Sequence, residues 1–370
     1  MLVLAGPGSG KTTVITNRVR YLTEKAGVDP GHILVITFTR AAAREMKERY
    51  EQMTQAGCSR VSFGTFHSVF FLILKLAYRY QAANIVREEQ RIQFVRELLE
   101  HCDLEVEDEG EFIASVLSEI SMVKGELMDL DHYYAKNCSE DVFKQLFLGY
   151  EEQLRKRRLL DFDDMLVMCY QLFKERPDIL SAWQNKYKYI LIDEFQDINR
   201  IQYEIVRMLA EPENNLFIVG DDDQSIYRFR GAKPEIMLGF ERDYPDAPRL
   251  LLDQNYRSSR QIVEAAGNVI RHNRTRFPKD IRAARGNGRP LDIREWPEPI
   301  DESLAIAGEL RDYASMGIAY EDMAVLYRTN LGPRLLIEKL MEYNIPFNMR
   351  DTVPNLYDHW IVKNVLSYIK

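Results

Sequence analysis

Apolar residues along this chain come in short unbroken runs separated by stretches of mixed polarity, a spacing that predicts alternating strands and helices. Strands are expected over Leu2–Ala5, Ile33–Phe38 and Val61–Phe63, and helices from Lys11, Ala41 and His67. Strand alternating with helix implies a parallel α/β sheet. From about Arg87 to Tyr170 no comparable strand appears. Ile92, Phe94, Val95, Leu98 and Leu99 recur there at helical period, which predicts a helical insertion. Strand-like runs resume at Tyr189–Asp193 and Leu216–Gly220, each opening into a loop rich in Asp and Gln. Leu250–Leu252, Leu291–Ile293 and Met323–Tyr327, with helices between them, suggest a second α/β unit. The expected division is 1–84 and 171–248 for the two parts of a first core, 85–170 for the insertion and 249–370 for a second, truncated core. No internal repeat or low-complexity linker interrupts this order, and no run approaches the roughly 18 apolar residues of a membrane span.

Three loops carry chemistry. Ala5-Gly-Pro-Gly-Ser-Gly-Lys-Thr12 leaves a strand and opens a helix, the context that a phosphate-binding loop requires. Gly6, Gly8 and Gly10 let backbone N–H groups converge on phosphate oxygens, and the positive end of the next helix lies beyond them. Lys11 is placed to reach β and γ phosphates and the Thr12 hydroxyl to bind Mg²⁺, with Ala5, Ser9 and Thr13 completing the candidate nucleotide contacts. The run Tyr189–Ile192 ends in Asp193-Glu194-Phe195-Gln196-Asp197. A carboxylate at a strand end beside a phosphate loop completes a magnesium site, so Asp193 is the metal candidate and Glu194 is left to orient or deprotonate a water. Successive strand side chains point to opposite faces, so the two are not expected to be equivalent metal ligands unless the backbone turns between them. An acidic helix start is the competing reading. The third loop, Gly220–Ala232, pairs an Asp and Gln side suited to water, metal or phosphate with Tyr227, Arg228, Phe229 and Arg230, which suit stacked bases and a charged backbone. Those aromatic residues also fit the core positions of a strand.

With 370 residues, 46% hydrophobic and 29% charged, the chain reads as globular with two or three domains. A net charge of −8 argues mildly against a nucleic-acid partner, since phosphate contacts draw on Lys and Arg. Its distribution changes that picture. Arg271, Arg274, Arg276, Lys279, Arg282, Arg285 and Arg289 stand against Asp280 alone, which suggests a basic face, whereas the acids from Asp103 to Glu111 read as a solvated surface. Cys58, Cys102, Cys138 and Cys169 lie too far apart to suggest zinc or a disulfide scaffold, so a reducing cytosol fits best.

In order, Ala5–Thr12, Ile36–Met46, Gly64–Ser68, Ile192–Asp197, Val219–Ala232 and Leu252–Ser259 resemble the successive motifs of the UvrD/PcrA/Rep-type superfamily 1 DNA helicases. Leu159–Met165 and Ala324–Asn330 extend the resemblance over essentially the whole chain. It implies a P-loop, RecA-like parallel sheet with an all-helical insertion and a second, incomplete RecA-like unit. It also implies an ATPase that uses ATP and Mg²⁺ to move 3′-to-5′ along single-stranded DNA and at duplex junctions. Position by position, Gln224 would sense the γ-phosphate, Arg257 would be an arginine finger from the second core, and Tyr256 would stack on adenine. Phe38, Thr39, Thr65, His67, Phe162, Tyr227, Phe229 and Arg230 would line the DNA path. From the residues alone, Phe38 and Phe162 fit core packing equally, His67 fits a helix-start role, and Arg257 fits a surface ion pair.

The chain departs from the family in places. The family's adenine-reading glutamine segment has no counterpart ahead of the phosphate loop, Thr13 stands where many members have arginine, and Phe229 replaces a common tryptophan. The later family motifs have no counterpart before Lys370, so weak nucleotide binding and poor hydrolysis are expected of this polypeptide. Two other readings remain open: the motor part of a helicase–nuclease of the RecB or AddA kind, and a non-catalytic DNA-binding paralogue.

Overall fold

Strands that are apolar at every position need cover on both faces, and a parallel sheet between two helical layers supplies it. The computed structural model describes residues 1–54, 59–102, 104, 106, 108–228, 231–329, 331–349 and 360–369, without the side chains of 360 and 364. It begins β1 (Leu2–Ala5), α1 (Lys11–Glu24), β2 (Ile33–Thr37), α2 (Arg40–Thr54), β3 (Ser62–Thr65) and α3 (Phe66–Tyr78). Five helices follow: α4 (Glu88–Leu99), α5 (Glu109–Glu126), α6 (Glu140–Arg157), α7 (Phe162–Glu175) and α8 (Pro177–Lys186). The strands return with β4 (Tyr189–Ile192), α9 (Arg200–Ala210), β5 (Leu216–Gly220), α10 (Pro234–Asp243) and β6 (Arg249–Leu252). Next come β7 (Gln254–Asn255), α11 (Arg260–Ile270), β8 (Arg282–Ala283), α12 (Pro299–Ser315), α13 (Arg334–Glu342) and α14 (Trp360–Ile369).

The main sheet runs β3-β2-β4-β5-β1-β6, with every pairing parallel. Alternate residues along the strands feed two cores. Leu2, Leu4, Leu34, Ile36, Ile190, Ile192 and Ile218 pack among α3, α7, α9 and α10. Val3, Val35, Leu191, Phe217 and Val219 pack with Ile15, Val19, Met46 and Tyr50 of α1 and α2. Because all six strands run one way, their carboxyl ends share one edge of the sheet, where ligands of open α/β sheets bind.

Three expectations need correction. Leu250–Leu252 does not open a second sheet: β6 joins the first, pairing in parallel with β1 at Leu2↔Arg249 and Ala5↔Leu252. The reason is topological, since the chain returning from α10 meets an open edge of β1, and hydrophobic pattern carries no information about which strand is the neighbour. Leu291–Ile293 and Met323–Tyr327 form no strand, and Ile293 and Leu326 stand 92% and 93% exposed. Last, the insertion ends near Leu160 rather than at Tyr170. Its own core comprises Phe94, Val95, Val116, Ile120, Phe143, Leu146 and Tyr150 from α4, α5 and α6, whereas Met165, Leu166, Cys169, Leu172 and Phe173 of α7 belong to the main core. The two share a helical period, so periodicity could not separate them.

The insertion leaves and rejoins the main core at one point, where Ile85 bridges Leu160: Val86 N–H donates to the Leu160 carbonyl at 2.9 Å and Leu160 N–H to the Asn84 carbonyl at 2.8 Å. A buried charge cluster reinforces this neck. Lys124 of α5 donates to Asp161 at 2.9 Å and Asp164 at 2.6 Å, the two residues that cap α7, and Tyr150 of α6 donates to Asp161 at 3.1 Å. The chain forms two compact units, Met1–Arg289 and Pro290–Lys370. In the second, Ala307, Leu336, Leu340 and Ile345 pack α12 on α13. No helix among the described residues is long and apolar enough to cross a membrane.

Candidate nucleotide-binding site

At the exit of β1 the phosphate loop takes two left-handed residues, Gly8 at φ 65° and Gly10 at φ 89°. Both are conformations that an L side chain adopts only at a cost. Gly8 has a second constraint, for a Cβ there would lie 2.8 Å from the Arg257 Cβ and 2.9 Å from Asn255 Oδ1. The loop turns directly into α1, whose first residue is Lys11, and the Ser9 hydroxyl lies buried without a hydrogen-bond partner. Thr12 is half-buried and Thr13 exposed.

Lys11 Nζ donates to Glu194 Oε2 at 2.8 Å, which joins the loop to the exit of β4. The condition on the two successive carboxylates is met. Glu194 has φ 49°, a left-handed conformation uncommon outside glycine, so the backbone turns between Asp193 and Glu194. Strain of this kind concentrates at functional sites and costs on the order of 1–3 kcal/mol. Asp193 is 5% exposed, and its Oδ1 is buried with no partner. Burial, then the neighbouring Glu194 charge, pushes its pKa up to about 7 against the opposing pull of Lys11. A buried carboxylate oxygen that nothing satisfies is where a cation fits. One carboxylate and the Thr12 hydroxyl beside a phosphate loop suit Mg²⁺, which keeps water and phosphate oxygens in its shell. Among the described residues no three His, Cys, Asp or Glu side chains gather into a protein-only metal cage.

Two residues that the sequence did not mark complete the pocket. Gln196, 1% exposed, donates to Glu194 Oε2 at 2.8 Å and accepts from the Asp221 N–H at 2.9 Å, linking the exits of β4 and β5. Asp197 is buried with an unpartnered Oδ1, and burial followed by the Glu194 charge raises its pKa to about 6. In sequence both look like ordinary polar residues at a helix start; partnership across strands is the missing signal.

Gln224 donates to Asp221 Oδ2 at 2.6 Å. Asp221–Asp223 in turn take up part of the stretch that sequence suggested as a basic face. Lys279, with no side-chain exposure, pairs with Asp221 at 2.6 Å, with Asp223 at 3.0 Å and with Asp222, while Arg276 forks onto Asp223 at 2.7 and 2.5 Å. Arg282 pairs with Asp280, and Arg285 donates to the Tyr256 carbonyl at 3.0 Å. Lys279 and Arg276 are thus internal counter-charges to these aspartates, because ionised carboxylates shielded from water need partners, while Arg271, Arg274, Arg282, Arg285 and Arg289 remain exposed.

The loop carrying Tyr256 and Arg257 lies in the compact unit Met1–Arg289, together with the phosphate loop. Tyr256 N–H donates to the Gly8 carbonyl at 3.0 Å, and both side chains are exposed.

Aromatic residues gather at the exits of β2 and β3. Phe38 stacks on Tyr227 with ring centres 5.4 Å apart at 26°, and Phe162 meets His67 edge-on at 5.4 Å and 83°. Phe162 is 49% exposed, which removes the core-packing alternative for it, and Phe38 is half-buried. Burial, then the nearby Arg40 charge, lowers the His67 pKa, so it is held neutral at pH 7. Thr65 is 8% exposed and its hydroxyl accepts from Ser68 N–H as the cap of α3, while Thr39 is exposed at the start of α2. Phe229, Arg230, Asn330, Cys58 and the acids Asp103, Glu105 and Glu107 lie outside the described residues.

A glycine loop between strand and helix, paired with a turned carboxylate doublet at the exit of the strand one place removed in the sheet, defines a P-loop nucleotide-binding protein of RecA-like fold. The chain belongs to the UvrD/REP helicase family: residues 1–245 match the UvrD/REP helicase N-terminal domain, and residues 250–370 match the UvrD-like helicase C-terminal domain. It is 39% identical over 376 residues to YjcD of Bacillus subtilis (strain 168), covering 100% of this chain and 49% of that protein. It is 38% identical over 380 residues to the ATP-dependent DNA helicase PcrA of Staphylococcus aureus (strain Mu50 / ATCC 700699), covering 100% of this chain and 51% of PcrA. The PcrA of Staphylococcus epidermidis matches to the same extent. The chain spans about half the length of these relatives.

Proposed function

We propose that this chain carries the ATP site and part of the DNA track of a single-stranded DNA translocase that couples Mg-ATP hydrolysis to unwinding with 3′-to-5′ polarity. The observation that carries this reading is the contact of Lys11 with Glu194 beside Asp193, a buried carboxylate with an oxygen left unpartnered. Lys11, Thr12 and Asp193 would hold the magnesium-bound triphosphate, whose ion neutralises phosphate charge when bound. Without nucleotide, Lys11 and Glu194 neutralise each other; once Lys11 engages phosphate, Glu194 is released to orient a water, held in place by Gln196. Gln224 reports the phosphate to the loop after β5, and Arg257 and Tyr256 serve the phosphate and the base. Single-stranded DNA would cross the exits of β2 and β3, stacking bases on Phe38, Tyr227 and Phe162 with little sequence preference. Relatives named as ATP-dependent DNA helicases support the reading.

Phosphate release with and without oligo-dT tests it, with Lys11→Ala as the control. The expected result is slow release that DNA stimulates and the variant abolishes; equal release by both proteins would refute the assignment. Strand displacement on duplexes with opposite tails tests the polarity.

A further inference from the structure

Gln196 is 1% exposed, and both polar atoms of its side chain are engaged across two strand exits. Its Nε2 donates to Glu194 Oε2 at 2.8 Å and, more weakly, to Asp197 Oδ2 at 3.4 Å. Its Oε1 accepts at 2.9 Å from the N–H of Asp221, the first residue after β5. The backbone takes part as well, for the Ser225 hydroxyl donates to the Gln196 carbonyl at 3.2 Å. The segment Asp221–Ser225 is therefore held to residue 196 at both of its ends. Gly220 makes this approach possible, since a Cβ there would lie 2.7 Å from Gln196 Oε1 and 3.2 Å from the Gln196 backbone nitrogen.

The groups on either side of this bridge give it more than a packing role. Glu194 Oε2 also accepts from Lys11 Nζ at 2.8 Å, so one carboxylate oxygen is shared by Gln196 and by the cation assigned to phosphate. On the far side Gln224 donates to Asp221 Oδ2 at 2.6 Å, and two residues beyond Ser225 the Tyr227 ring stacks on Phe38. When Lys11 turns to phosphate, the charge that Gln196 Nε2 faces changes, and the planar amide passes that change to the Asp221 N–H. We propose that Gln196 is a positioning residue that relays occupancy between the nucleotide site and the Phe38–Tyr227 stack, through Glu194 on one side and the Asp221–Ser225 segment on the other. The inference rests on the nucleotide and DNA readings above. Its distinguishing consequence is thermodynamic. Two sites joined by the relay change each other's affinity by the same factor, whereas a residue that only supports the fold lowers affinities without joining them.

The experiment uses the full chain. It measures Kd for mant-AMPPNP with Mg²⁺ in the presence and absence of saturating oligo-dT, and Kd for labelled oligo-dT in the presence and absence of AMPPNP. In the wild type each ligand is expected to shift the affinity of the other by one common factor of at least about 5-fold. Gln196→Leu removes both ends of the side-chain bridge, and the factor falls below about 2-fold whatever the separate affinities do. Glu194→Ala breaks the relay at its other link and brings the same fall, whereas a Gln196 that only supported the loop after β5 would leave the coupling intact there. Thermal unfolding checks the fold of each variant, and the Glu194→Ala arm decides the matter if Gln196→Leu does not fold. Absence of coupling in the wild type, or a wild-type factor retained in either variant, would overturn the proposal. Equal mant-AMPPNP binding by wild type and Lys11→Ala would instead remove the nucleotide site on which the inference rests, and unchanged oligo-dT binding by Phe38→Ala would remove the DNA track.

Discussion

Replacing Lys279 with methionine keeps the length and apolar stem of the side chain but removes the cation that three consecutive aspartates share. Lys279 and Asp221 have no side-chain exposure and Asp222 has 2%, so water cannot take over the lost role. Arg276 remains, but its fork is committed to Asp223. Removing one partner of a buried pair costs roughly 3–5 kcal/mol, because the remaining charge is stranded. At about 2–3 °C per kcal/mol for a unit of this size, that lowers the melting temperature by roughly 10 °C. The pH dependence gives the sharper check. In the wild type, burial opposes the charge on Lys279, yet the aspartates raise its pKa, so its stabilisation is present below the ordinary lysine value and is lost only as pH rises through the folded pKa. Burial likewise opposes ionisation of Asp223, but hydrogen bonds from Arg276 and Lys279 lower its pKa, so its contribution is present above 3.8 and lost as pH falls through the folded value. Lys279 and Asp223 therefore add little slope between pH 5 and pH 9. In the variant the stranded carboxylates hold protons more tightly when folded than unfolded, so stability falls as pH rises. Thermal unfolding at pH 5 and pH 8 should show a deficit that widens at the higher pH, and Asp222→Asn added to Lys279→Met should recover part of it. A deficit below about 1 kcal/mol, one equal at both pH values, or a further loss on adding Asp222→Asn would refute the reasoning.

Other variants test other parts of the site. With divalent cations chelated, Asp193→Asn should raise stability by roughly 2–3 kcal/mol more at pH 8 than at pH 5, since a carboxyl pushed up to about 7 loses folded-state stability as pH rises from the ordinary carboxylate value to its folded one; urea unfolding at both pH values measures it. The same substitution should abolish the Mg²⁺ dependence of mant-ATP binding. Gly8→Ala forces a side chain into a left-handed residue against Arg257 and Asn255, and should weaken mant-ATP binding at least about 10-fold while costing roughly 1–2 kcal/mol of stability. Phe38→Ala removes one ring of the Phe38–Tyr227 stack and should weaken oligo-dT binding by about 1–3 kcal/mol in fluorescence anisotropy, with ATP affinity in the absence of DNA unchanged.

What the sequence revealed and what it concealed divide along a physical line. The strands Leu2–Ala5, Ile33–Thr37, Tyr189–Ile192 and Leu216–Gly220 were legible because burial on both faces leaves an apolar run, and Lys11 with the carboxylate doublet was legible because phosphate and magnesium chemistry demands those residue types at strand exits. Neighbour relations left no such trace. That β6 lies beside β1, that α7 serves the main core, and that Lys279 faces inward all depend on where the chain returns in space. Gln196 and Asn255 escaped for the same reason, since each acts by joining segments distant in sequence: Gln196 to Asp221, and Asn255 to Pro7. The turn at Glu194 was anticipated only as a condition; its left-handed backbone is what meets it.

The neck at Ile85 and Leu160 has an architectural consequence. The segment between those two residues has its chain ends already side by side, so closing a different loop across that gap adds little entropic cost whatever its length. Such a module can be enlarged, exchanged or trimmed between relatives without shifting the register of any strand that holds the phosphate loop. Its placement on the main core rests instead on side chains away from those ends, Lys124 on the capping aspartates of α7 and Glu126 on Lys233.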